Sequence, residues 1–382
     1  MAETPIKRGL KSLFHGLSVK LGIKDPNMWQ KSLETFPWGQ FSMAVVRGNR
    51  EMEDRSQVEV GENALFVGVY DGHRGDRASS FMVDHLFDRI TAQAWDHNRL
   101  DMERITAAIT YMENQFIDMV RNHKENEPSL STVGTCALVG LLHEGRLHSV
   151  SVGDSKVLLI SLENGEYIFQ ELTTQKNVNT NQSHREAYMT ANPGRVLFQD
   201  GVHRVAGISK ISQSLGDAFL KLEDCLVPEH MVQPDSLPYL HASPEFQTRV
   251  LNENHRFLVF GSHGFWELLE NQQVVDFVTQ SRKRKGIAKR LAKEAVNVAA
   301  GLARRSYKKF IRQTESRRPL QDDITVIVVF LDHIREDPDP HMREVSFKPH
   351  APILSSHFTR LRHHMAYNAR AQEQRTVFQE LL

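Results

Sequence analysis

Short apolar runs rich in β-branched and aromatic residues recur at 41–46, 65–70, 136–142, 147–152, 157–160, 257–260 and 324–331. Each is bounded by polar or turn-forming residues, and this predicts strands. Between them, apolar residues return every three or four positions over 76–97, 101–123, 271–280 and 286–305, which predicts long helices. In the last of these, Ile287, Leu291, Ala295, Val298 and Leu302 form an apolar stripe opposite Lys289, Arg290 and Lys293. Strands grouped around pairs of long helices, not alternating singly with them, predict an α+β layered domain over 41–332.

The flanks differ. Residues 1–40 read as a leader in which Ile6, Leu10, Leu13, Phe14, Leu17 and Leu21 share one helical face. Lys7, Arg8, Lys11, Lys20 and Lys24 accompany them, with no acid from 6 to 24. Two readings stay open: a basic amphipathic helix on an anionic membrane surface, or a leader packed on its own domain. Glycines at 9, 16 and 22 weaken a free-standing helix. Residues 333–382, rich in His, Arg and Pro, read as a tail with one helix near 356–381 and no strand that the core requires.

Composition narrows the class. The 382 residues carry 47 basic and 47 acidic side chains, so no bulk charge draws the chain to nucleic acid. Two cysteines, Cys136 and Cys225, make no disulfide framework and fit a reducing compartment. With no secretory segment and no membrane-length apolar run, the expectation is an intracellular protein, cytoplasmic or nuclear, monomeric, with membrane contact limited to 6–24.

The chemistry sits at strand ends. The run 65–70 leads into Asp71-Gly72-His73, 147–152 into Gly153-Asp154-Ser155, and 257–260 into Gly261-Ser262-His263-Gly264. Asp322-Asp323 precedes the strand 324–331. Neighbouring antiparallel strands reverse direction, so one sheet edge can gather three strand ends and one strand start. Glu53-Asp54, after the first strand, can join them. Clustered carboxylates repel unless a cation compensates, and all-oxygen donors select hard ions such as Mg²⁺ or Mn²⁺. Taken singly, Asp-Gly at a strand end is a turn; the argument rests on the ordered set.

That set resembles the PP2C (PPM) family of metal-dependent Ser/Thr protein phosphatases. The resemblance covers 41–332 and rests on Met52-Glu53-Asp54, Phe66 to His73, Val152 to Ser155, Ser214-Leu215-Gly216-Asp217 and Asp322 to Val329. The wording of 41–46 and of 286–332 is similar to the plant subfamily called clade D. The resemblance implies a four-layer α-β-β-α sandwich: two central antiparallel sheets flanked by antiparallel helix pairs. It also implies two Mn²⁺ or Mg²⁺ ions in a cleft at one sandwich edge, a metal-bridging water as nucleophile, and phosphorylated proteins as partners. By the same likeness Asp71 would bridge the metals, Gly72 would offer its carbonyl, Asp322 and Glu53 would each serve one ion, and Asp154 would serve a third, weaker site. His73 would be the general acid.

The sequence departs from that pattern in several places. Ser262-His263-Gly264 stands where the family has Ser-Asp-Gly, so an imidazole replaces a ligand carboxylate. Arg74 stands where the family has Gly, and the phosphate-gripping Arg of many members falls at Asn49. The stretch Leu172 to Asn177 lacks the usual acid-His pair. The expectation is a homologue acting on phosphoserine and phosphothreonine proteins with a damaged dimetal centre and weak or absent catalysis, a pseudophosphatase candidate. The alternative is an active Mn²⁺-dependent phosphatase.

Overall fold

The structure, a computed structural model, describes residues 24–332 and 344–356, apart from 96–101, 144, 231, 234–235, 314–315, 319, 353 and 355. The leader pattern at 6–23 and the helix expected near 356–381 lie outside the described residues, Ser356 excepted.

Two antiparallel sheets stack face to face. One runs β1 (Met28–Phe36), β2 (Gly39–Val46), β14 (Ile324–Leu331), β13 (His255–Gly261), β7 (Lys156–Glu163), β8 (Glu166–Glu171). The other runs β12 (Glu245–Val250), β6 (Arg146–Val152), β5 (Gly134–His143), β4 (Ala64–His73), β3 (Arg55–Val60), β15 (Val345–Phe347), and β11 (Leu215–Gly216) pairs with the start of β5. Helices α1 (Arg77–Trp95) and α2 (Met102–His123) cover the second sheet, while α5 (Asn271–Gln280) and α6 (Ile287–Leu302) cover the first. The expected four-layer sandwich is what the chain forms.

The central strands explain the unbroken apolar runs. In β14, Ile324, Val326, Val328 and Phe330 pack under α5 and α6. Ile327, Val329 and Leu331 face the opposite sheet with Phe41, Val67 and Phe260. A strand buried on both faces has no polar position to alternate with. Between β8 and β12 the chain adds a smaller lobe: α3 (Gln182–Ala191), with an Asn181 side-chain cap, and the hairpin of β9 (Val196–Gln199) and β10 (Val202–Val205). Its own apolar cluster includes Val178, Tyr188, Val205 and Phe219. Two short helices, α4 (His263–Trp266) and α7 (Tyr307–Phe310), lead into α5 and out of α6.

The domain limits read from sequence need correction at both ends. β1 lies inside the stretch 1–40 set apart as leader, and pairs with β2 along seven positions. Its polar sequence, with a bulge between Lys31 and Glu34, fits an edge strand with weak periodicity. Residues 333–382 also supply a strand: β15 pairs with β3, and Phe347 is buried between the sheets beside Phe41, ring centroids 5.4 Å apart. Three residues are too few for a periodic signal.

Candidate metal and phosphate cleft

The expected junctions do meet, across the sandwich and not along one sheet. Asp71 and Asp154 end β4 and β6 of one sheet; His263 and Asp322 flank β13 and β14 of the other. The sequence reading of a single sheet edge is therefore corrected: strand order puts β4 and β13 in different sheets, and their ends converge at one end of the stacked pair. A cavity of about 340 Å³ opens there, with Asp71, His73, Asp154, His263 and Asp322 among its lining.

Asp71 sits at the centre. Its Oδ2 accepts the backbone N–H of His263 at 2.7 Å. Burial, together with the nearby Asp154 and Asp322 charges, pushes its carboxyl up to about 7, although His263 partly relieves it. Gly72 follows in a space with no room for a side chain, since a Cβ there would lie 2.3 Å from the Glu53 carbonyl.

Glu53 accepts the Gly75 N–H at 2.8 Å through Oε1 and the Asn49 amide at 3.1 Å through Oε2. Asn49 also donates to Asp322 at 2.9 Å, so the residue at the expected phosphate-gripping position ties two acids together. Arg318 grips both Asp322 oxygens at 2.6 and 2.5 Å. Behind them Asp323 accepts the N–H groups of Gly48, Asn49, Glu53 and Asp54 and so fixes the whole acidic loop.

His263 lines the cleft and sits against Asp154. Its Nδ1 lies 3.1 Å from Asp154 Oδ2, an ion-pair distance but off line for a hydrogen bond, and its Nε2 lies 3.9 Å from Glu267. Burial opposes charge on the ring, but Asp154 and then Asp71 outweigh it and raise the imidazole to about 10. Asp154 in turn is buried, yet His263, Asn177 at 2.7 Å and Cys136 at 3.3 Å hold its carboxyl well below the usual range.

His73 stands across the cleft, Nε2 2.8 Å from Asp217 Oδ2. Burial lowers its pKa, the Asp217 charge and hydrogen bond raise it further, and the net direction is up. Ser214 donates to the same Asp217 oxygen at 2.6 Å. Gly134 makes room for the pair: a Cβ there would meet Asp217 Oδ2 at 2.3 Å and His73 Nε2 at 2.5 Å. Arg74 adopts φ +59°, the left-handed conformation that a Gly would adopt freely, at a cost of about 1–2 kcal/mol. Its guanidinium lies over Phe219 at 5.0 Å and 3.7 Å from Asp217.

The expected site residues Glu53, Asp71, Gly72, His73, Asp154, His263 and Asp322 thus all gather at one cleft. The sequence reading assigned no role to Asp217, Asp323, Asn177 or Arg318. The first two lie inside the motifs already singled out and were accessible to a closer reading. Asn177 ends the stretch 172–177 already noted, and Arg318 follows Arg317 shortly before Asp322; neither carries a local signal for its part in the cleft.

The class of protein follows from this layout together with the likeness to known proteins. A family model described as Protein phosphatase 2C matches residues 47–305. A probable protein phosphatase 2C 43 from Oryza sativa subsp. japonica is 36% identical over 332 residues, covering 84% of this chain and 85% of that protein. A probable protein phosphatase 2C 68 from Arabidopsis thaliana is 36% identical, covering 81% and 82%. Among solved structures, a serine-threonine phosphatase 2C from Toxoplasma gondii shares the fold with TM-score 0.58 and 17% identity, over 80% of this chain and 100% of that one. The chain belongs to the protein phosphatase 2C family, and its named relatives include plant proteins. By family and fold it is a PP2C-like serine/threonine phosphatase, of a metal-dependent type that acts on phosphorylated proteins.

The donor set fits that metal chemistry only in part. Asp71, the Gly72 carbonyl and Glu53 carry the oxygens that would hold one hard cation, although among the described residues no three His, Cys, Asp or Glu side chains stand together as a ready metal site. The other set, Asp71, Asp322 and residue 263, contains an imidazole whose Nδ1 lies 3.1 Å from Asp154. An imidazole in place of a carboxylate removes a negative charge and an oxygen donor. Residue 263 therefore brings no carboxylate oxygen to a second hard ion.

Proposed function

We propose that this chain is a PP2C homologue that takes phosphoserine and phosphothreonine proteins into its cleft but has an impaired dimetal centre. We assign hydrolysis at least ~100-fold slower than in an intact family member, about 2.7 kcal/mol of barrier. The observation that carries this reading is His263, held against Asp154 at 3.1 Å where the family pattern has a ligand Asp. In this reading the remaining residues keep roles that need no second ion. The rim cations Arg74, Arg204 and Lys210 draw a phosphate toward the cavity. His73 holds a proton beside Asp217 and could deliver it to a departing serine or threonine oxygen.

A second reading, an active Mn²⁺-dependent phosphatase, draws on the intact donors Asp71, Gly72 and Glu53 and on the retained His73–Asp217 pair. Imidazole does ligate transition metals once it has lost its proton. Turnover against Mn²⁺ concentration, for the natural chain and for His263→Asp, separates the two. Brisk natural turnover at millimolar Mn²⁺, unchanged by His263→Asp, would sink the impaired-centre reading.

A further inference from the structure

A phosphate that enters this cleft meets carboxylates. Asp71 and Asp322 line the cavity, and Glu53 is tied to Asp322 through the Asn49 amide. Each of these acids repels an anion, so a phosphoryl group can settle beside them only where a cation stands among them. Four Lys or Arg side chains line the cavity: Arg74, Arg204, Lys210 and Arg318. Arg74 lies over Phe219 beside Asp217. Arg204 and Lys210 belong to the smaller lobe, where Arg204 donates to the Ile208 carbonyl at 3.1 Å. Of the four, only Arg318 holds Asp322.

Arg318 uses part of its donor fork there. Its Nε donates to Asp322 Oδ1 at 3.2 Å, and its Nη2 donates to Oδ1 at 2.6 Å and to Oδ2 at 2.5 Å. Nη2 also lies 4.0 Å from Glu53 Oε2. A guanidinium carries five N–H donors in one plane, two of them on Nη1. Among the described residues Nη1 has no hydrogen-bond partner, and the side chain is 49% exposed. One edge of the fork is spent on a carboxylate, and its other end is left for an anion. Asn49 shares Asp322 Oδ1 at 2.9 Å but is neutral, so the positive charge at this corner is that of Arg318.

The backbone under Arg318 is pinned. The neighbouring Arg317 is buried and pairs with Asp25 at 2.8 and 3.0 Å, while its N–H donates to the Gly48 carbonyl at 2.7 Å. The Arg318 N–H donates to Ser316 Oγ at 3.1 Å, and the Gln321 N–H donates to the Arg317 carbonyl at 3.2 Å. A cation fixed at both its backbone and one edge of its fork loses little freedom on binding.

We propose that Arg318 grips the phosphoryl group of a phosphoserine or phosphothreonine in this cleft, offering Nη1 to it while Asp322 orients the opposite edge. The assignment rests on the reading that such groups enter the cleft, and it names the residue that receives them. Guanidinium suits this double task because it is planar and can serve two oxyanions at once, which an ammonium on a flexible stem does less well.

The test is fluorescence anisotropy of the full chain at millimolar Mn²⁺ with two labelled peptides. One carries a phosphonate analogue of phosphoserine that resists hydrolysis, and the other carries serine at the same position. The natural chain should prefer the phosphonate peptide, and inorganic phosphate should compete with it. Arg318→Gln should bind the phosphonate peptide at least ~10-fold more weakly, the scale of a hydrogen bond to a charged group, with the serine peptide unaffected. Arg318→Lys keeps the charge beside Asp322 and should recover only part of the loss. Lys210→Gln, which removes a rim charge, should lose less than Arg318→Gln, and its loss should fade as salt rises. Natural affinity in Arg318→Gln overturns the assignment. So does full affinity in Arg318→Lys, which would show that charge alone suffices. A natural chain that binds both peptides alike overturns the reading of the cleft itself, and the assignment with it.

Discussion

Two regions of this molecule bury histidines and treat them in opposite ways. In the cleft, His73 faces Asp217 and His263 faces Asp154, and both rings are shifted upward by the carboxylate they face. On the outer edge of the second sheet, His148 of β6 hydrogen-bonds Thr248 at 2.9 Å and stacks on Phe246. No carboxylate is among the groups that shift it; burial, then His143 and Arg146, lowers it to about 4. Burial opposes the charge in all three, so a facing carboxylate decides the sign. The comparison also separates the two cleft pairs. In the proposed reading one pair would serve proton transfer, while the other sets an imidazole where the family pattern puts a metal ligand.

The largest effect should come from Asp71, which lies between the pairs and takes the His263 N–H. Asp71→Asn should reduce whatever metal-dependent turnover exists by at least ~100-fold and remove any Mn²⁺-induced rise in melting temperature. Unchanged turnover and an unchanged Mn²⁺ shift in the variant would show that Asp71 is not a ligand.

His263→Asp sharpens the comparison by breaking one pair and leaving the other. It should raise Mn²⁺-dependent turnover by ~10-fold or more, with recovery incomplete because Arg74 and Asn49 remain. A melting temperature that rises with Mn²⁺ only in the variant would locate the gain in ion binding; turnover unmoved at saturating Mn²⁺ would contradict it.

His148 tests the unpaired case. Its folded value of about 4 lies below the unpaired 6.5, so between those limits the unfolded chain binds a proton that the folded chain refuses. Stability should therefore fall as pH drops from about 6.5 to 4, by roughly 1–3 kcal/mol from this residue. Urea melts at both ends of the window should show a shallower loss for His148→Gln, and parallel losses would remove His148 as the cause.

Arg74→Gly should have the smallest effect. Relief of the left-handed backbone is offset by the lost contacts with Phe219 and Asp217 and by the greater freedom of Gly when unfolded. The variant's stability should stay within about 1 kcal/mol of the natural chain, and a larger change in urea melts would show that one side of this balance is misjudged.

Much of the fold was legible before the structure because central strands buried on both faces, such as β14, leave unbroken apolar runs, and amphipathic helices such as α6 leave a stripe. Edge strands left little trace. β8 is exposed along all six residues, and β15 is only three residues long. The order of the Asp71, Asp154, His263 and Asp322 junctions was equally plain, since each follows or precedes an apolar run by one to three residues.

The sequence by itself thus determined the layers, the family and the residues at the strand ends, because local burial and turn chemistry are written in neighbouring positions. Only the tertiary structure decided that the acids meet across two sheets, that Asp217 holds His73, and that His263 turns to Asp154. Those pairings join residues more than a hundred positions apart. Their electrostatics depend on distance and burial through space, which spacing along the chain does not record.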